Sequence, residues 1–242
     1  MPLRSSSMPS KHPPGALNLI FDADDTLWDS NIHFLEAETA FIDLLTRAQV
    51  DDHSEIRAAM RRHELRIIET HGYGRRPYVI ALHRVAAEVA PPHHHENLRV
   101  EVERIGDRLI DRHCELLPGV APTLSELGRR HRLLLFTKGD PREQLRKLDH
   151  SGLRPLFTRV GVPVEKDPGT YRLLIAQADL DPERTFMIGN SPRSDINPAL
   201  KAGLRAVFIA HPHTWELEHE EIDHADDRLI TIDAFPRLLD VF

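Results

Sequence analysis

The sequence predicts an α/β fold in which a doubly wound parallel sheet carries an all-helical insertion. Two observations lead to this prediction. Short apolar runs of strand length alternate with helical patterns in the second half of the chain, and such runs are typical of strands buried on both faces. Residues 30–117, in contrast, have apolar residues at helical spacing and contain no convincing strand pattern. Alternating strands and helices favour βαβ units, so we expect the insertion to interrupt a parallel sheet.

Four apolar runs are predicted to form the strands, at residues 17–21, 132–137, 185–189 and 206–210. Helical patterns follow or separate these runs, at residues 122–130, 141–151, 170–178 and 198–202. Proline at the start of a helix and glycine just after its end are common signals, and Pro141 and Gly152 supply both for the second of these helices.

Inside the insertion, four helices are predicted. The first is indicated by Phe34, Ala37 and Phe41 at helical spacing. Ser54 is predicted to cap a second helix that runs to about Thr70. The other two are predicted at residues 77–90 and 97–116, separated by Pro91-Pro92.

The chain is therefore predicted to have three parts. Residues 1–15 are polar and rich in proline and serine, which indicates a disordered tail. Residues 16–29 and 118–242 are predicted to form the α/β core, and residues 30–117 the helical insertion.

Composition excludes several classes of protein. With 31 basic and 38 acidic residues, the formal net charge of −7 gives no basic excess that would favour nucleic acid. No apolar run approaches the roughly 18 residues that span a bilayer, so no membrane association is expected. The single cysteine, Cys114, excludes an internal disulfide framework, which favours a reducing compartment and a cytoplasmic location. Cys114 lies in a helical pattern and is predicted to serve packing rather than nucleophilic attack.

The segment Phe21-Asp22-Ala23-Asp24-Asp25-Thr26-Leu27 directly follows the first apolar run. It contains three carboxylates within four residues, and like charges so close together are costly to bury. A bound cation, or a reaction that uses the carboxylates, would relieve this cost. An Asp-rich turn that caps a helix is the alternative, and the segment by itself leaves both open.

Three further polar features come at or near the ends of later strands. They are Thr137, Lys166 and the segment from Gly189 to Asp195. Taken singly, Thr137 could cap a helix, Lys166 could be a solvated loop lysine, and Asp195 could cap the helix that follows. Ligands of parallel α/β sheets bind at the carboxyl ends of the strands, so all of these residues are predicted to meet at one site.

The order and types of these residues resemble the haloacid dehalogenase (HAD) superfamily of hydrolases. The resemblance covers most of residues 17–210 and puts residues 30–117 at the position of the family's helical cap, beside a Rossmann-like core. It implies that Asp22 is a nucleophile that forms an acyl-phosphate. It also implies that Mg²⁺ is held by Asp22, Asp195 and the backbone carbonyl of Asp24, since Mg²⁺ prefers oxygen ligands. Lys166 would pair with Asp22 and the phosphoryl oxygens, while the Thr137 hydroxyl and the N–H of Lys138 would hold the transferring group.

Asp24 separates the two main chemistries of this family. A leaving alkoxide needs a proton and a halide does not, and family phosphatases carry this second aspartate whereas dehalogenases lack it. The prediction is therefore Mg²⁺-dependent hydrolysis of a small phosphorylated metabolite through an aspartyl-phosphate. The alternatives are a 2-haloacid dehalogenase, a non-catalytic binding protein that retains the fold, and a phosphoryl transferase or phosphosugar isomerase.

Two residues depart from the family pattern. Asp25 stands where the family often has glycine, and it is predicted to point away and cap the next turn. Asn190 stands where an aspartate is usual, which predicts either a weaker metal ligand or an indirect role. Other residues carry less specific signals. Tyr73, Arg75 and Arg76 are predicted to form a solvated loop rather than to contact substrate on closure, and His93–His95 are also predicted to form a solvated loop. His33 follows the first motif and could touch the leaving group, but contact there is the less favoured interpretation.

Overall fold

A computed structural model describes residues 15–110 and 115–242. The predicted tail, apart from Gly15, and Cys114 lie outside these described residues. Among the residues inside them, no helix combines the length and the apolar character needed to cross a bilayer.

A parallel sheet lies at the centre of the described structure. Within the described residues, the sheet has six strands: β1 (Asn18–Phe21), β2 (Arg132–Phe136), β3 (Arg159–Gly161), β4 (Thr185–Gly189), β5 (Arg205–Ile209) and β6 (Leu229–Ile232). Their order in space is β3-β2-β1-β4-β5-β6, and every neighbouring pair is parallel. The α/β prediction and its four strands are confirmed. The sequence missed β3 and β6, which are short, partly exposed strands at the two edges and lack a continuous apolar run.

The described helices are α1 (Asn31–Arg47), α2 (His53–His71), α3 (Arg75–Val89), α4 (His95–Ile110), α5 (Val120–Arg130), α6 (Pro141–His150), α7 (Pro168–Ala178), α8 (Asn197–Lys201) and α9 (Leu238–Val241). The predicted cap of α2 is wrong, because Asp52 accepts the N–H of Glu55 at 2.9 Å and Ser54 already lies inside the helix. Of the predicted loop residues His93–His95, His93 and His94 lie in a short 3₁₀ turn and His95 begins α4.

Two apolar layers cover the faces of the sheet. Alternate residues of a strand point to opposite faces, so Leu19 and Phe21 belong to one layer and Ile20 to the other. All three are fully buried. This burial on both faces explains why the strand is a continuous apolar run.

The helices α1 to α4, inserted between β1 and β2, have an apolar core of their own. Phe41, Leu45, Ile56 and Val85 are completely buried there. The insertion thus buries a separate set of side chains, because the spacing of three and four residues puts them on the facing sides of the helices.

Candidate active site

The predicted site residues lie on the side of the sheet where the strands end. Asp22 directly follows β1, and its backbone N–H donates to the Ile188 carbonyl of β4 at 2.9 Å. Thr137 directly follows β2, and its N–H donates to the Gly161 carbonyl at 3.1 Å. The strand order reverses at β1, since the chain goes to β2 on one side and later to β4 on the other. Such a switch point leaves a crevice beyond the strand ends, which is where α/β proteins bind ligands.

At the centre of the site, one ammonium lies between two carboxylates. Lys166 Nζ donates to Asp22 Oδ1 and, at 2.7 Å, to Asp195 Oδ1. The Lys166 side chain is 1% exposed and that of Asp195 is fully buried. Burial opposes the charge on Lys166, but the two carboxylates outweigh it and raise its pKa. Burial raises the pKa of Asp22, and burial together with the charge on Asp22 raises the pKa of Asp195.

This arrangement, the Asp22–Lys166–Asp195 trio, fits a divalent cation. When both carboxylates are ionised, they and the ammonium carry a net charge of −1, and a buried excess charge is unfavourable without a further partner. The donor set consists of oxygens, which suits Mg²⁺. Asp22 and Asp195 are thus chemically able to hold the metal that the sequence predicts.

Gly189 makes room for Asp195. A Cβ atom at Gly189 would lie 2.2 Å from Asp195 Oδ2. Asp195 reaches this position because Pro192–Ile196 form a π-helical turn, a rare conformation often found at functional sites. The Ser191 N–H then donates to Asp195 Oδ2 at 3.0 Å and fixes the carboxylate.

We expect Gly189→Ala to displace Asp195 and so to weaken Mg²⁺ binding, while the protein still folds. Overpacking of this kind costs about 1–3 kcal/mol of unfolding free energy. The measurements are urea unfolding and Mg²⁺ affinity by calorimetry. Gly128→Ala is the control, since its new methyl group would lie 3.4 Å from Leu133 in ordinary contact and would favour α5. Equal Mg²⁺ affinity in the Gly189 variant and the wild type would contradict this account of Gly189.

Asp24 is turned towards α6 and accepts three side-chain hydrogen bonds. Lys147 Nζ and Trp28 Nε1 donate to Oδ1 at 2.6 and 2.7 Å, and Gln144 Nε2 donates to Oδ2 at 2.8 Å. Burial alone would raise the pKa of Asp24, but the Lys147 ammonium and these hydrogen bonds hold it below its usual value. In this arrangement the carboxylate is ionised and is ready to accept a proton rather than to donate one.

Asp25 faces the start of the insertion. It has a left-handed backbone conformation with φ of 59°, and its Oδ1 accepts the N–H groups of Ser30 and Asn31 at 2.9 and 3.1 Å. It therefore caps the start of α1, in agreement with the predicted capping role. Its carboxylate could join Asp29 and His211 around a cation, because their ligand atoms lie within 4.8 Å of one another. That group differs from the magnesium ligands predicted from the sequence.

Asn190 is linked to Asp22 through a threonine. Thr26 Oγ1 lies 3.1 Å from Asn190 Oδ1 and 3.3 Å from Asp22 Oδ2, while Asn190 Nδ2 donates to Thr214 Oγ1 at 2.9 Å. The amide oxygen thus already has a hydroxyl neighbour. This geometry is consistent with the indirect role of Asn190 that the sequence left open.

The ammonium of Lys138 is held by groups outside the Asp22–Lys166–Asp195 trio. It donates to Glu218 and, at 3.0 Å, to Ser194 Oγ, and it lies 4.2 Å from the centre of the Tyr73 ring. Glu218 is buried and also accepts from Ser191 Oγ. The sequence did not indicate Glu218, because it lies in an irregular segment with no motif around it.

The insertion meets the core around Tyr73. The Tyr73 hydroxyl donates to Glu165, and the ring packs edge-to-face on Trp215 with centroids 6.0 Å apart. The Arg75 N–H donates to Glu143 Oε2 at 3.2 Å. The interpretation of this segment as a solvated loop is wrong: Tyr73 and Arg75 are partly buried, and Arg75 and Arg76 are the first residues of α3. Arg76 is exposed.

A cavity of about 640 Å³ lies between the strand ends and the insertion. Its core wall includes all of the predicted site residues, namely Asp22, Asp24, Thr137, Lys138, Lys166, Asn190 and Asp195. The opposite wall comes from α1, α2 and the start of α3, and includes His33, Phe34, Glu64 and Tyr78. A ligand of the Asp22–Lys166–Asp195 trio would therefore extend towards the insertion.

The chain matches a known family over most of its length. Residues 18–203 match the haloacid dehalogenase-like hydrolases. The chain belongs to this family of hydrolases. The match spans β1, the insertion and the strands β2 to β4, so it includes every predicted site residue.

Similar proteins within and around this family differ in their named activities. A haloacid dehalogenase-like family hydrolase from Xanthomonas campestris is 28% identical, with a TM-score of 0.80 over 93% of this chain and 95% of that chain. A 2-haloacid dehalogenase from Pseudomonas syringae pv. Tomato DC3000 is 19% identical, with a TM-score of 0.61 over 93% and 97% of the two chains, which shows a common fold alone. A phosphoserine phosphatase from Thermus thermophilus is 34% identical over 104 residues. That alignment covers 40% of this chain and only 42% of the phosphatase.

Proposed function

We propose that this HAD hydrolase is a Mg²⁺-dependent phosphatase that cleaves the phosphate monoester of a small metabolite. The observation that carries the proposal is the Asp22–Lys166–Asp195 trio, which lies in the same cavity as a second aspartate, Asp24. The named activity of the phosphoserine phosphatase relative is consistent with this reaction. The single cysteine is the reason for proposing a cytoplasmic location.

In the first step, Asp22 Oδ2 would attack the phosphorus atom while the bond to the leaving oxygen breaks. Lys166 holds the other oxygen of Asp22 and so orients the nucleophile. Bound Mg²⁺, held by Asp22, Asp195 and the carbonyl of Asp24, would supply neutralisation of the phosphoryl charge. The Thr137 hydroxyl and the Lys138 N–H would hold the phosphoryl oxygens as charge develops.

In the second step, water attacks the phosphorus of the aspartyl-phosphate and releases Asp22 and inorganic phosphate. Asp24 would take the proton of this water, and its ionised state suits that role. In the first step Asp24 must instead give a proton to the leaving alkoxide. We propose that bound substrate loosens the contact of Asp24 with Lys147, so that the carboxylate takes up a proton from solvent before the bond to the leaving oxygen breaks. In later turnovers this proton is the one that Asp24 takes from the attacking water.

Dehalogenation is the second candidate, because a dehalogenase shares this fold. It would use the same nucleophile, but a leaving halide takes no proton. Asp24 and the three groups that hold it would then have no function in the first step. This difference favours phosphate esters over haloacids.

We expect phosphate release to require added Mg²⁺ and to disappear when a chelator removes it. The experiment compares a panel of phosphomonoesters with 2-haloacids, each with Mg²⁺ and with EDTA, and measures inorganic phosphate and halide. Phosphate release that returns when Mg²⁺ is restored supports the proposal. Halide release that is insensitive to EDTA would replace it with dehalogenation, and no turnover of either class would favour a binding protein.

A further inference from the structure

Two arginines of α2 on the insertion wall of the cavity already have carboxylate partners. Arg57 Nε donates to Glu38 Oε1 at 3.1 Å, and Arg61 forms an ion pair with Glu216 of the core. All four side chains line the cavity. Their charges cancel in pairs, so these residues leave neither a free cation nor a free anion on the wall.

Arg75 of the same wall lies 3.9 Å from Asp107, and Glu64 is the charged residue of this wall that has no such partner among the described residues. It lies one helical turn beyond Arg61 on α2, between the apolar cavity residues Met60 and Ile67. Within residues 15–110 and 115–242, no hydrogen-bond donor or cationic side chain is paired with it. Burial raises the pKa of Glu64 to about 7, the charge on Glu38 adds to the rise, and Arg61 only partly opposes it. A carboxylate in this position is stabilised by any cation that enters the cavity.

The two ends of the cavity therefore differ in charge preference. The core end is predicted to bind the phosphoryl group with Lys166, Thr137 and Mg²⁺. The insertion end has one unpaired carboxylate, and this end faces the leaving group, because the phosphoryl group stays at the strand ends. An anionic leaving group would be repelled there, whereas a cationic one would find a partner.

We propose that Glu64 binds a primary ammonium group on the leaving-group side of the substrate, so that the preferred substrates are phosphate monoesters of small amino alcohols. This inference rests on the proposed phosphatase function. The apolar side chains Phe34, Met60 and Ile67 on the same wall suit the carbon chain that links the ammonium to the phosphate. A salt bridge in such a partly desolvated cavity is stronger than one at the surface, and it would discriminate the charged ester from its neutral analogue.

The test compares each ω-aminoalkyl phosphate of two to six carbons with the alkyl phosphate of the same length. We expect kcat/KM of the wild type to favour the amino ester by about tenfold or more at the best length, as a hydrogen bond to a charged group would give. Glu64→Gln should lower kcat/KM for the amino esters and so remove most of this preference. Glu69→Gln is the matched control, because Glu69 lies on the same helix, is exposed and does not line the cavity.

Binding provides a second readout that does not need turnover. Calorimetry of the wild type and of Glu64→Gln with aminoalkyl- and alkylphosphonates, which cannot be hydrolysed, measures the same preference. Hydrolysis without any amino preference would overturn the role of Glu64 and leave the phosphatase proposal standing. No hydrolysis, but tighter Glu64-dependent binding of the aminoalkylphosphonate, would overturn the phosphatase proposal and support the ammonium site. Equal binding of both phosphonates by the wild type would overturn the ammonium site.

Discussion

Asp22→Asn is expected to lower phosphate release by at least about 10³-fold, as removal of a nucleophile does in other enzymes. An amide cannot form the acyl-phosphate, although it can still accept the hydrogen bond from Lys166. We therefore expect the variant to fold and its kcat to fall. Rapid quenching of the wild type during turnover, followed by hydroxylamine and mass spectrometry, should locate the modified aspartate at residue 22.

Asp43→Asn is the control for the same chemical change, since Asp43 is exposed on α1 and outside the cavity. It should retain wild-type activity and melting temperature. Slow deamidation of the amide introduced at position 22 would restore activity with time, so the variant is measured fresh and its mass is checked. An Asp22→Asn variant that turns over phosphate esters at the wild-type rate would exclude Asp22 as the nucleophile.

Lys166→Met is expected to have the second large effect, on both stability and activity. The substitution leaves the buried carboxylates of Asp22 and Asp195 facing each other without the ammonium that now touches both. Removing one partner of a buried ion pair costs about 3–5 kcal/mol of unfolding free energy. Urea unfolding without metal should show a loss of this size, and phosphate release should fall together with the orientation of Asp22.

Added Mg²⁺ should recover part of the lost stability in Lys166→Met, because a cation at the carboxylates replaces the missing charge. Its stabilising effect should be larger in the variant than in the wild type. The control is Lys201→Met, at an exposed position at the end of α8. If Mg²⁺ stabilised the variant and the wild type equally, the carboxylate pair would not be the metal site.

The sequence predicted those parts of the fold that depend on local patterns. The strands β1, β2, β4 and β5 are apolar runs, because each is covered on both faces. The edge strands β3 and β6 were missed, because partly exposed strands of three or four residues have no such signature. The insertion helices were found from their spacing, but the cap of α2 was misassigned by two residues, since Asp52 and Ser54 carry equally good capping side chains.

The candidate site was predictable where its residues form motifs at strand ends, as Asp22, Asp24 and Lys166 do. The side chains that lower the pKa of Asp24 could not be predicted in this way. Gln144 and Lys147 lie 120 and 123 residues from Asp24 in the chain, and they reach it only because α6 packs beside the end of β1. Gln144 and Lys147 are three residues apart, so the sequence does indicate that both lie on one face of α6. It does not indicate that this face contacts Asp24.

The α/β class, the helical insertion and the set of residues at the strand ends could be predicted from the sequence, because they follow from hydrophobic periodicity and from the direction of parallel strands. The pairing of charged side chains, in contrast, depends on the tertiary structure. It joins Lys166 to Asp22 and Asp195, and it ties Asp24 to Lys147. Among the described residues it gives Glu64, on the cavity wall, no hydrogen-bond or ion-pair partner. The reason is physical: charge interactions depend on distances of a few ångströms between segments far apart in the chain, whereas the apolar patterns act within one segment.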